Sequence, residues 1–309
     1  MYRFDHILVC LDFTQMDDAL MRYSNFITET LQPKRVSFLH VMQEHGIPRK
    51  ILTKLPSLDQ PLPVLVKEEI DRKFEQLVDQ KKGVEYEVLV KEGYTTPTIL
   101  EFTRDEEVRL TLMGKKIGYK GEGNIVRKIA SLTPSSVLLV TEKTVPELKK
   151  IHVRMNFNRS SEIALKTAVR LSEYTGARVA CHNVFRFPIK YFAQPEFVSA
   201  GKFAEIEHEL KQHNSKEYQH LIKHLKLEAQ NIPCQYTFDK ENDEAQELFN
   251  FAVKDDADLI VIGSKIKSEL NEIILDRTSE KLVGVGKDIP VLIVKDRKPV
   301  LGFLETLFG

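Results

Sequence analysis

Ile7-Leu8-Val9-Cys10-Leu11-Asp12-Phe13, near the start of the chain, is answered halfway along by Ile151-His152-Val153-Arg154-Met155-Asn156-Phe157. A short, continuous apolar run with β-branched residues predicts a strand buried on both faces, as in a parallel sheet. Outward from the first run, a helical pattern spans about Met16 to Leu31 and stops near Pro33, and Val36–Met42 is the next strand. Lys67–Gln80 reads as a charged amphipathic helix and Val84–Val90 as a strand. Thr96 and Pro97 read as the N-cap and first position of another helix, since Pro there forfeits no intrahelical bond. Arg109–Met113 and Ser136–Val140 are further strands, with a helix from about Asn124 to Ser131 between them. Strand and helix in alternation predict a doubly wound sheet with right-handed crossovers.

The pattern then begins again. Ile151–Met155, Arg178–Phe185, Pro233–Phe238, Asp258–Ile262 and Pro290–Val294 repeat the five strands, and Ser160–Tyr174 repeats the first helix. Local matches carry the repeat: Leu39-His40-Val41 against Cys181-His182-Asn183-Val184, Met113-Gly114-Lys115 against Ile262-Gly263-Ser264, and Val137–Val140 against Val291–Val294. Offsets between the copies run from 142 to 154, so they differ by small loop insertions. The fold class expected is α/β, two tandem doubly wound parallel-sheet domains related by a pseudo-twofold axis. The first domain covers 1–143 and the second 147–296, with an apolar tail over 297–309. Val137–Val140 and Val291–Val294 are the expected seam for intramolecular pairing of the domains.

The 309 residues contain 45 basic and 45 acidic side chains, a formal charge of zero, with 42% hydrophobic and 29% charged residues. That is a globular balance, without the basic excess of a nucleic-acid or anionic-membrane binder. The apolar runs fall far short of the roughly 20 residues that span a bilayer. Residues 1–15 show no basic segment followed by an apolar one, so no secretory signal is expected. Cys10, Cys181 and Cys234 are odd in number and far apart, which reads as reduced thiols in a cytoplasmic protein.

Taken in order and found twice, these features resemble the universal stress protein family, whose fold is of the adenine nucleotide alpha hydrolase-like type. The carriers are the opening strand ending in Asp12-Phe13, the Leu39-His40-Val41 strand, the strand ending in Met113-Gly114 or Ile262-Gly263, and the closing strand after Thr278-Ser279-Glu280-Lys281-Leu282. The resemblance implies binding of ATP or AMP in some members, its loss in others, pairing through the closing strand, and a stress-response role without an assigned reaction. Where members bind ATP, Gly-x-x-Gly follows the fourth strand and Gly-Ser or Gly-Thr follows nine residues later. Glycines there let backbone N–H groups approach phosphate at a helix N-terminus. The resemblance places Asp12, Val41, Gly114, Gly123 and Asn124 at the first-half site. Ile117 stands at the second glycine position and the loop is shortened, although it keeps Gly118, Gly121, Lys115, Lys116 and Lys120. In the second half Ile266 replaces the second glycine, Asp276-Arg277 stands where Gly-Ser/Thr belongs, and Asn156 replaces the first-strand Asp. Ser268 to Leu282 reads there as an ordinary helix. A structural alternative makes Asp12 and Asn156 helix caps at a strand-to-helix turn. ATP or AMP is therefore expected in the first domain only, and weakly.

His213, Glu217, His220 and His224 share a narrow face of one helix. His220 and His224 have a two-ligand spacing for Zn²⁺, with Glu217 or His213 as a third, against a boundary-histidine alternative. Phe185, Phe187, Tyr191, Phe192, Phe197 and Phe203 line either an apolar pocket or a mini-core pinning a long connection. Leu301, Leu304 and Phe308 make the tail sticky, so it is expected to dock on its own chain or on a second copy. No nucleophile is paired with a base, so the catalytic set is empty. The function expected is a non-enzymatic stress-response binding or regulatory module, with no nucleic-acid or membrane partner and a homodimer as its further assembly. The competing readings are an ATP/AMP sensor or slow ATPase built on the first-domain glycine loop, and an apolar-ligand or zinc-dependent regulator built on the second domain.

Overall fold

A computed structural model of the chain describes residues 4–42, 61–115, 123–187, 200–264, 275–285 and 289–296. The apolar tail, the loop 116–122 and the connection 188–199 lie outside the described residues. Two compact units are formed. The first holds the described residues up to Glu147 with Lys295 and Asp296, and the second those from Leu148 to Val294.

In the first unit the order is β1 (His6–Leu11), α1 (Met16–Leu31), β2 (Arg35–Met42), α2 (Leu62–Leu77), β3 (Glu85–Glu92), α3 (Thr95–Asp105), β4 (Leu110–Gly114), α4 (Gly123–Leu132) and β5 (Ser136–Val140). The strands lie in the order β3-β2-β1-β4-β5 and every pair is parallel. Every residue of β1 and β5 is buried, which is what a strand sandwiched between two helix layers requires. α1 packs on α2 and α3 on α4, the two helix pairs of a doubly wound sheet.

The second unit repeats the plan with β6 (Lys150–Arg154), α5 (Arg159–Thr175), β7 (Arg178–Phe185), α6 (Ala200–His224), β8 (Cys234–Phe238), α7 (Glu244–Lys254), β9 (Leu259–Gly263), α8 (Arg277–Val285) and β10 (Val291–Val294). Its parallel order is β10-β9-β6-β7-β8. No helix among the described residues is long and apolar enough to cross a membrane.

Three helix readings need correction. Thr96 and Pro97 sit inside the first turn of α3, whose N-cap is Tyr94 with no side-chain hydrogen bond. The charged helix runs over Leu62–Leu77, starting five residues before Lys67, with Pro61 as its N-cap and Pro63 in its first turn, where a missing N–H forfeits no intrahelical bond. The helix assigned to Ser268–Leu282 begins at Arg277, where Asp276 accepts the Ser279 N–H at 2.9 Å; residues 265–274 lie outside the described residues.

Candidate functional site

In each sheet the carboxyl ends of the first and fourth strands are neighbours whose connections leave in opposite senses, the switch point at which open α/β sheets hold ligands. In the first unit, Asp12 follows β1, Val41 lies near the end of β2, and Gly114 closes β4. α4 then opens at Gly123, with Asn124 exposed in its first turn. The five residues expected at this site are thus distributed over the same end of adjacent elements. Val41 is buried, whereas Asp12 is exposed.

The turn after β1 is built around strain and a buried acid. Phe13 has φ 61° and its counterpart Phe157 has φ 55°, left-handed values that are costly for a bulky side chain and tend to cluster at ligand sites. Asp17, almost wholly buried, accepts the Asp12 N–H at 2.9 Å, and burial pushes its pKa up to about 6. Asp12 Oδ1 accepts the Thr14 hydroxyl at 2.5 Å. The capping alternative fails for both turns: Gln15 is the N-cap of α1, and Asn158, not Asn156, caps α5 by accepting the Ser161 N–H at 3.0 Å.

The opening glycines have a packing role. A Cβ on Gly114 would meet Met16 Cγ at 2.3 Å, and one on Gly263 would meet the Ser160 carbonyl oxygen at 2.0 Å. Beyond them, the Lys115 N–H donates to the Val140 carbonyl at 2.7 Å and the Ser264 N–H to Val294 at 2.9 Å. Lys115 is buried, which brings its pKa down to about 8.

In the second unit the same end of the sheet is filled by charges of its own. Arg154, 5% exposed, binds Glu244 through two hydrogen bonds of 2.6 and 2.8 Å and Asp276 through a third of 2.7 Å. Thr278 donates to Glu244 at 2.8 Å, and the Ser279 hydroxyl donates to Asp276 at 2.7 Å. Burial opposes the Asp276 charge, but Arg154 and the two donors of Ser279 outweigh it and hold the carboxyl below its usual range. Beside this network, a cleft of about 180 Å³ is lined by Arg186, Asn242, Asp243, Arg277 and Lys281, and Lys281 pairs with Asp243 at 2.7 Å. Asn156 Oδ1 and Ser264 Oγ are buried without a hydrogen-bond partner among the described residues. They stand three residues beyond the paired Val153 and Val261, on adjacent strands.

Sequence reasoning missed Arg154 and Glu244. The available signal was a charged residue closing the strand at the position where the first copy has Cys10. Glu217, His220 and His224 are all exposed along α6, and among the described residues no group of three or more His, Cys, Asp or Glu is placed to hold a metal ion. Phe185, Phe187, Phe203 and Phe238 form one ring cluster, with centroids 4.7 to 5.7 Å apart. That is the mini-core reading of the aromatic stretch; residues 188–199 lie outside the described residues.

The sequence matches the profile of the Universal stress protein family twice, over residues 3–141 and 147–295, and the chain belongs to that family. No curated protein matches it. Among solved structures, it is similar to a protein of unknown function from Pseudomonas aeruginosa PAO1, with 13% identity, TM-score 0.65, and coverage of 98% of this chain and 96% of that one. A putative universal stress protein from Pseudomonas aeruginosa UCBPP-PA14 matches with 13% identity, TM-score 0.65 and coverage of 98% and 97%. A universal stress protein from Archaeoglobus fulgidus DSM 4304 matches with 15% identity, TM-score 0.64 and coverage of 96% and 100%. At these identities the likeness is one of fold.

Proposed function

We propose that this tandem universal stress protein is a binding or regulatory module without turnover, working in the cytoplasm, whose first unit takes ATP or AMP weakly while its second unit takes no nucleotide. The observation that carries this reading is the Arg154–Glu244–Asp276 network. An incoming phosphate at that end of the second sheet would face two carboxylates already bound to the buried Arg154 guanidinium. The first copy has uncharged Cys10 in place of Arg154 and Gly123-Asn124 in place of Asp276-Arg277, so that objection does not arise. Asp12 and the backbone around Val41 would hold the adenosine, and Gly114 with the start of α4 would hold the phosphates.

Calorimetric titration of ATP and of AMP, with Mg²⁺, into protein stripped of small molecules tests the reading. One site per chain, weakened about tenfold in Asp12→Ala and unchanged in Asn156→Ala, supports it. No heat at about 1 mM ligand, where even a weak complex is populated, overturns the nucleotide reading.

A second reading rests on Asn156 Oδ1 and Ser264 Oγ, which have no hydrogen-bond partner among the described residues. Buried polar atoms are normally satisfied, so this pair suits a neutral hydrogen-bonding ligand that brings no charge to the Arg154 network. Adenosine binding that survives Asp12→Ala but not Asn156→Ala would identify it.

A further inference from the structure

Cys181 on β7 and Cys234 on edge strand β8 are direct partners in the parallel register. In-register residues of adjacent parallel strands point to the same face, and the strands lie about 4.8 Å apart. That spacing falls within the Cα separation of about 4.4–6.8 Å that a disulfide bridges. The Cβ atoms must draw together by a fraction of an ångström to about 1 Å, and β8, paired on one side only, can yield that much. Both thiols are free. Cys181 is buried with the Tyr218 hydroxyl of α6 beside it, while Cys234 is half-buried. Cys234 is therefore the sulfur that a small reagent reaches first, and Cys181 is shielded from solvent.

We infer that Cys181 and Cys234 are a modification site of the second unit, closing to a cross-strand disulfide when the protein meets a peroxide. Cys234 sulfur attacks one peroxide oxygen, giving a sulfenic acid and one water. Cys181 sulfur then displaces the sulfenic hydroxyl, which leaves as a second water with the Cys181 proton. Two thiols are oxidised by two electrons, and one peroxide is reduced to two waters. Burial pushes the Cys234 thiol up to about 12 and the Cys181 thiol higher still, so the reaction is slow at neutral pH and records sustained rather than brief exposure. Cys10, buried in β1 of the first unit, takes no part.

The test is to treat the full chain with hydrogen peroxide at pH 7 and at pH 9, block the remaining thiols, and map unreduced digests by mass. The expected result is a cross-linked peptide pair joining Cys181 to Cys234, faster at pH 9, with an intact mass lower by two hydrogens. A rise in Tm of about 5 °C should accompany it and be reversed by dithiothreitol. Cys10→Ala keeps all of this and Cys234→Ala loses it. Sulfinic or sulfonic acid on Cys234 with Cys181 still a thiol, a chain-to-chain disulfide, or an unchanged thiol count at pH 9 would each overturn the inference.

Discussion

The two crevices begin from the same strand, turn and helix and end in opposite chemistry. In the first unit, β1 delivers Asp12 beside a fourth strand that closes on Gly114, and uncharged Cys10 stands where the second unit has Arg154. In the second, β6 delivers Arg154, and two acids from the starts of α7 and α8 close on it. Both retain the left-handed Phe and the tightly packed glycine. A duplicated fold can thus keep the same turn and the same glycine in both copies while one copy fills that end with paired charges of its own.

Arg154→Ala should break the comparison most severely. It leaves Glu244 and Asp276 partly buried and unpaired and should cost the second unit about 3–5 kcal/mol in chemical denaturation. Replacing all three by Met, Gln and Asn should recover most of that loss, whereas the Arg154→Ala chain should show no new phosphate binding.

The glycines sharpen the contrast. Gly263→Ala drives a methyl into a backbone carbonyl that cannot step aside, at a cost of about 3 kcal/mol. Gly114→Ala meets a side chain instead and should cost about 1–2 kcal/mol. A double-mutant cycle with Met16→Ala should show coupling for Gly114 and none for Gly263.

Mild acid should pull the units apart in stability. His182 is wedged between Phe251 and Thr237 with His152 nearby, and burial followed by the His152 charge brings its pKa down to about 4. The unfolded chain then binds more protons, so the second unit loses stability as pH falls from about 6.5 toward 4. Asp17 has the opposite sign. Its pKa of about 6 is raised by burial, against the Asp12 N–H hydrogen bond that lowers it, so the folded state binds more protons between pH 6 and 4 and this group adds stability as pH falls through that range. Hydrogen exchange of β7 and β1 peptides should show His182→Gln removing about 2 kcal/mol of the acid loss in the second unit. Asp17→Asn should remove a similar gain in the first. Parallel responses in both variants would refute the assignment.

The smallest effect concerns affinity. Asp12→Ala should weaken AMP binding about tenfold, ~1.4 kcal/mol, while leaving the unfolding of both units unchanged.

Strands such as β1 and β5 were legible because burial on both faces writes itself as apolar runs, and β7 was legible as the repeat of β2. Helix starts were less so. α3 opens at an uncapped Tyr94 and α8 at Asp276, a residue read as a misplaced phosphate-loop position rather than as a cap. Arg154 could not be interpreted from its neighbours in sequence, because its partners lie 90 and 122 residues away.

The sequence by itself determined the repeat, the parallel α/β class and the family, because periodicity and composition are local properties that survive divergence. Tertiary structure decided what each equivalent position does. Gly114 and Gly263 are the same residue in the same motif, yet one faces a side chain and the other a carbonyl. Asp276 is a lone acid in the sequence and one of two carboxylate partners of Arg154 in the structure. Whether a charge repels a ligand or replaces one depends on the partner that folding places within hydrogen-bonding distance, and that partner is remote in the chain.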